Sequence, residues 1–150
     1  NIYSTTSTGN TNYESMSGTS MASPNVTGTL TLIQQHYKNL NSGSFMRAAT
    51  LRGLVIHTAD EAGTNPGPDY AFGWGLVNAE KAVNAITNRN VSSIIEERTL
   101  NNSTPYTFNV TAISSSIPLE VTIVWNDPAA TPLADGTNNS TQSMLINDLD

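Results

Sequence analysis

Met16-Ser17-Gly18-Thr19-Ser20-Met21-Ala22-Ser23-Pro24-Asn25 sets a serine among small residues where an extended stretch gives way to a helix. Ahead of it, Tyr13 to Ser17 reads as a short extended segment, and Gly18 lets the backbone turn tightly where a side chain would obstruct an approaching molecule. Behind it, Val26, Leu30, Ile33, Tyr37 and Leu40 recur at spacings of four, three, four and three, which marks one face of a helix packed on a core. Ser20 then falls in the first helical turn. The N–H groups there have no intrahelical partner and the macrodipole is positive, so negative charge forming on a bound oxygen would be stabilised. Pro24 agrees with this placement, since its missing N–H would have bonded the Ser20 carbonyl, and a proline costs little in a first turn. A serine at such a point is also what an ordinary N-cap looks like.

The full string Gly18-Thr19-Ser20-Met21-Ala22-Ser23-Pro24 resembles, at every position, the nucleophile motif G-T-S-M-A-(S/T)-P of the subtilisin-like serine peptidases, the subtilases. Asn1-Ile2-Tyr3-Ser4-Thr5 resembles the family segment that leads into the substrate-binding hairpin. Tyr70-Ala71-Phe72-Gly73-Trp74-Gly75-Leu76-Val77-Asn78-Ala79 resembles its closing segment. The resemblance implies that Ser20 is the nucleophile, supported at the oxyanion and substrate site by Gly18, Thr19 and Met21. It implies a protein or peptide substrate, a secreted or extracellular enzyme, and an α/β fold whose parallel sheet is flanked by helices, with the Ser20 helix buried at the centre. In subtilases the catalytic Asp and His both precede the Ser. Both are therefore expected upstream of Asn1, together with the side-chain amide that completes the oxyanion hole, which leaves the Ser20 backbone N–H here.

Composition sets the outer bounds. At 150 residues, 37% of them hydrophobic, the chain can bury a core as one domain or two small units. A net charge of −6, with six scattered Lys and Arg, argues against a nucleic-acid partner. The lack of cysteine excludes a disulfide scaffold and a thiolate metal site without placing the protein in a compartment. No run approaches a transmembrane helix, so no membrane partner is expected. The chain opens on Asn rather than Met, and it reads as a piece of a longer parent chain whose remainder is a partner.

Taken in order, Asn39 to Ser44 is a turn, and Ser44 is placed to cap a second helix running to about Ala59. Ala48, Leu51, Val55 and Thr58 share one face of it, while Arg47 and Arg52 can face water. Glu61 to Asp69, with two prolines and two glycines, is a surface loop. Asn78 caps a third helix from Ala79 to about Ile86, with Ala82, Val83 and Ile86 inward, and Gly73 and Gly75 mark a close backbone approach. Beyond a boundary near Asn88 to Val91, helical spacing gives way to β-rich runs. Ser92–Leu100, Pro105–Ile113 and Leu119–Trp125 read as strands, the second alternating Tyr106, Phe108 and Val110 against Thr107, Asn109 and Thr111. Such strands without helices suggest an antiparallel sandwich. The run Leu119 to Pro128, with Leu145 to Asp150, resembles the jelly-roll-like module that follows the catalytic domain in some secreted subtilases. The expected organisation is thus residues 1–87 as the C-terminal part of a peptidase domain, mostly helical here, and residues 92–150 as the start of an incomplete all-β module.

A serine hydroxyl needs a base, and the chain holds two histidines. His36 lies sixteen residues along the same helix, roughly 24 Å from Ser20 at the helical rise, and cannot serve. His57 sits near a helix end with Asp60 close by but lacks the family's Gly-Thr-His setting, so a surface role is expected. Met21 can fill a core and also flank the nucleophile. Asp127, Asn147, Asp148 and Asp150 are oxygen ligands of the kind calcium prefers, yet not at EF-hand spacing, and turn roles compete with a calcium site in the parent. Asn25-Val26-Thr27 and Asn109-Val110-Thr111 match the glycosylation pattern, as chance does in an Asn- and Thr-rich chain. A second reading of the whole is a non-catalytic binding or structural module that inherited the serine motif.

Overall fold

The computed structural model describes residues 1–112 and 114–149. It begins with two short strands, β1 (Ile2–Thr5) and β2 (Tyr13–Met16), paired antiparallel with Ile2 opposite Met16 and Thr5 opposite Tyr13. Tyr3 and Tyr13, diagonal neighbours on one face of this hairpin, stack with centroids 5.6 Å apart. Three helices follow: α1 (Thr19–Leu40), α2 (Ala48–His57) and α3 (Ala79–Thr87).

The core is formed where the helices meet. Ile33 and Tyr37 of α1, Leu54 of α2, Ala82 and Ile86 of α3 and the intervening Met46 are buried together, flanked by Leu51, Val55, Val83 and Ile95. The expected apolar face of α1 is used at Val26, Leu30, Ile33 and Tyr37. Leu40 departs from it and is 52% exposed. The reason is the length of α3, which ends at Thr87, whose hydroxyl lies 2.9 Å from His36 Nε2, so the last turn of α1 has no helix beside it. The N-terminal half of α1 is likewise not enclosed, contrary to the expected central burial, because no layer of the described chain covers it. Its threonines satisfy themselves locally: Thr27, Thr29 and Thr31 each donate to the carbonyl four residues back.

Ser44 does not cap α2. Phe45 and Met46 intervene, and the Met46 backbone is clamped by the Gln34 side chain, which donates to its carbonyl and accepts from its N–H, both at 3.0 Å. The helix then starts after Arg47. Its cap comes from a distant residue: the Glu97 carboxylate accepts from the Arg47 N–H at 2.7 Å and the Thr50 hydroxyl at 2.6 Å. A negative charge there also meets the positive end of the helix. By contrast Asn78 caps α3 as expected, its side chain accepting from the Lys81 N–H.

The loop from Glu61 to Asp69 is exposed or half-buried as expected, and an isolated bridge between Asp60 and Leu76 closes it. Gly75 makes that closure possible. Its φ is +101°, and a Cβ there would overlap the Asp60 carbonyl oxygen. Gly73 meets no neighbour and serves only the turn it forms with Asp69.

The three strands expected after Thr87 do not form among the described residues, and Ile113, at the end of the second, lies outside them. A ladder needs a partner, and beyond Ser93 the backbone hydrogen bonds are local turns, Thr104 to Asn101 and Thr137 to Ala134. Nor does a facing layer cover the alternating residues: Tyr106, Phe108 and Val110 are 42–50% exposed. The alternation itself survives, with Tyr106 stacked on Phe108 and Arg98 over the Tyr106 ring. Instead of a sheet, this part of the chain lies along α2. Arg52 donates to the Trp125 carbonyl and Asn126 Oδ1, His57 Nδ1 pairs with Thr122 Oγ1 at 2.9 Å, and Val124 sits over Gly53.

Because one carboxylate caps α2 and ties the C-terminal segment to it, Glu97→Ala should lower unfolding stability by about 1–2 kcal/mol. Urea unfolding checks this, and an unchanged midpoint would contradict the cap.

Candidate active site

The strand-to-helix turn is made by one backbone conformation. Gly18 has φ +150° and ψ 172°, a region open essentially to glycine alone, and it occupies the N-cap of α1 without any side-chain cap bond. Its carbonyl accepts from the N–H groups of Met21 (3.0 Å) and Ala22 (3.1 Å). Ser20 is therefore two residues inside the helix, and the N-cap role that a serine often takes here belongs to Gly18. The N–H groups of Thr19 and Ser20 precede the first helical bond and have no partner within α1. Pro24 lies in the second turn rather than the first, so the Ser20 carbonyl also lacks its helical donor. Ser20 thus keeps its N–H outside the helical ladder, and its carbonyl lacks the donor that Pro24 cannot supply.

The hairpin folds back over this turn and makes a cleft of about 250 Å³. Register determines which side chains line it. The cross-strand pairs Ile2–Met16 and Ser4–Glu14 share one face, opposite the stacked tyrosines, and that face meets Ser20, Met21 and Pro24. Ser20 is exposed and Met21 half-buried beside it. Of the residues singled out from the sequence, Ser20 and Met21 line this cleft, Gly18 and Thr19 lie in the turn beside it, and the wall opposite was not among them. The signal was present in the period-two placement of Ile2 and Ser4 and of Glu14 and Met16.

Neither histidine serves Ser20 among the described residues. His36 is held by Thr87 and His57 by Thr122. Asp60, three residues after His57, is turned to α3: Oδ1 pairs with Lys81 Nζ at 2.6 Å and Oδ2 accepts from Asn78 Nδ2 at 2.8 Å. The Lys81 hydrogen bond, then that of Asn78, hold the Asp60 carboxyl below its ordinary value. Asp127 is held low as well, first by the Ile146 N–H, with further bonds from the Asn147 N–H and amide. Its oxygens accept from the N–H groups of this turn and from the Asn147 amide, which is the turn role among the described residues. Asp150 lies outside the described residues.

The Subtilase family profile matches residues 2–75. The match runs from β1 through the Ser20 turn to Gly75, just under half of the chain. The chain is similar to an extracellular serine protease of Serratia marcescens, 37% identical over half of this chain. It is similar to the autotransporter lipoprotein NalP of Neisseria meningitidis, 40% over 49%, and to subtilisin DY of Bacillus licheniformis, 40% over 47%. It spans 6% of the length of the first two and 22% of the third. No solved structure matches.

A lowered folded pKa at Asp60 means its contribution is complete above the ordinary carboxylate value and is lost as pH falls through the lowered one. Asp60→Asn should therefore flatten the acid limb of the stability curve below about pH 4 while leaving its neutral-to-alkaline shape unchanged. Denaturation midpoints measured from pH 2 to 8 check it, and an acid limb as steep as that of the unaltered chain would contradict the assignment.

Proposed function

We propose that this chain carries the nucleophile of a secreted, subtilisin-like serine endopeptidase, with Ser20 attacking the scissile carbonyl of a protein or peptide. The observation that supports it most is the placement of Ser20, two residues past the Gly18 break, exposed to the cleft with an N–H outside the helical ladder. A carbonyl oxygen seated there gains the N–H and the helix dipole as it becomes an oxyanion. Gly18 keeps the turn open, Thr19 opens the helix ahead of Ser20, and Met21 walls the cleft. His36 and His57 are committed elsewhere, so the general base and its orienting carboxylate are assigned to the rest of the parent protein. The hydrolase assignment and the extracellular location draw support from the subtilase match and the protease relatives. No described helix is long and apolar enough to cross a membrane. Residues 92–150 are read as a separate unit that packs on α2 and acquires strand partners from outside the described chain.

Losing one triad member removes most of the rate, leaving about 10³–10⁴ over water only where the oxyanion hole and substrate site are intact. A serine-reactive fluorophosphonate should therefore label the full-length protein at Ser20 and leave the isolated 150-residue chain unlabelled. An unlabelled, folded full-length protein would favour the non-catalytic module instead, and stoichiometric labelling of the isolated chain would show that a local group activates Ser20.

Met21 gives a second check. Its oxidation to the sulfoxide would set a polar, bulkier group against the cleft. Peroxide should lower turnover of the full-length protein, and Met21→Ala should remove that sensitivity; an equal loss in the variant would take Met21 out of the site.

A further inference from the structure

The cleft beside Ser20 has one charged residue in its lining, Glu14. Its position follows from register: Glu14 pairs with Ser4, and these two lie on the same hairpin face as Ile2 and Met16, the face turned to Ser20. Three observations give that carboxylate a use. The rest of the lining is neutral, so a charged group entering the cleft meets no competing local charge. Among the described residues Glu14 forms no ion pair, the three that exist being Arg47–Glu97, Lys81–Asp60 and Arg98–Glu96. No cationic residue precedes Lys38 in the sequence, so the segment that builds the hairpin and the turn brings no Lys or Arg of its own to neutralise it. A strand normally disfavours Glu, and at this site Glu14 rests over the cleft rather than pointing to the tyrosine face.

We propose that Glu14 selects peptides carrying Lys or Arg in a residue next to the scissile bond. This rests on the reading of Ser20 as the nucleophile. The cationic side chain would lie along Ile2 and Met16, whose apolar atoms suit the methylene stem, and bring its charge to the Glu14 carboxylate. An acidic residue in the same position would be repelled. Because Glu14 is exposed, the preference is modest and salt-sensitive, about two- to fivefold in kcat/KM per position.

The test uses the full-length protein with paired peptides that differ only in Lys or Glu, placed in turn at each residue flanking the scissile bond. One position should show a Lys preference that falls as ionic strength rises. In Glu14→Gln the preference should vanish, and in Glu14→Lys it should reverse, while fluorophosphonate labelling of Ser20 continues in both. A flat charge profile, or a preference that survives Glu14→Gln, with Ser20 still labelled, overturns the inference and leaves the nucleophile reading standing. Failure of labelling in the unaltered protein would instead remove that reading and this inference with it.

Discussion

The sealing of Ile33 and Tyr37 by Ala82 and Ile86 is the contact on which the helical part depends. These residues are at most 6% exposed, whereas most apolar side chains of the molecule are only partly covered. Each large side chain buried there contributes about 1.5–3 kcal/mol. The small Ala82 lets α3 lie close to α1, and Tyr37 keeps its polar end at the edge, where Arg89 approaches its ring and hydroxyl. Everything else is attached to this crossing. The Gln34 amide hangs the α1–α2 turn from it, and Asp60 with Asn78 ties the end of α2 to the start of α3.

The serine sits at the opposite end of α1 from that core. Its setting is determined by backbone geometry rather than by packing: a glycine-only conformation at Gly18, a missing donor at Pro24, and a hairpin whose register aims four side chains at the turn. Separation of this kind suits a site. The core positions the helix axis, while the exposed first turn stays free to meet a ligand. It also explains why α1 is so unevenly buried, with both fully enclosed residues in its C-terminal half.

The C-terminal segment shows how tertiary context overrides pattern. Tyr106, Phe108 and Val110 keep the alternation of a strand, but a strand is stabilised by a ladder and a covered face, and neither is supplied by the described residues. The segment turns its polar groups to α2 instead. Glu97, which the sequence places in an expected strand, becomes a helix cap fifty residues from the backbone it serves.

What the sequence by itself determined is what depends on near neighbours. Helical periodicity placed α1 and its core residues, Asn78 announced the start of α3, the proline- and glycine-rich loop followed from local conformational limits, and the seven-residue motif located Ser20 at a helix start. Tertiary structure alone decided which of two competing local signals prevailed. Ser44 lost the cap to Glu97 because Gln34 holds Met46 in a non-helical link, and Leu40 lost its burial because α3 is short. It also decided that Glu14 faces the serine, since strand register is a property of two paired segments and is carried by neither alone.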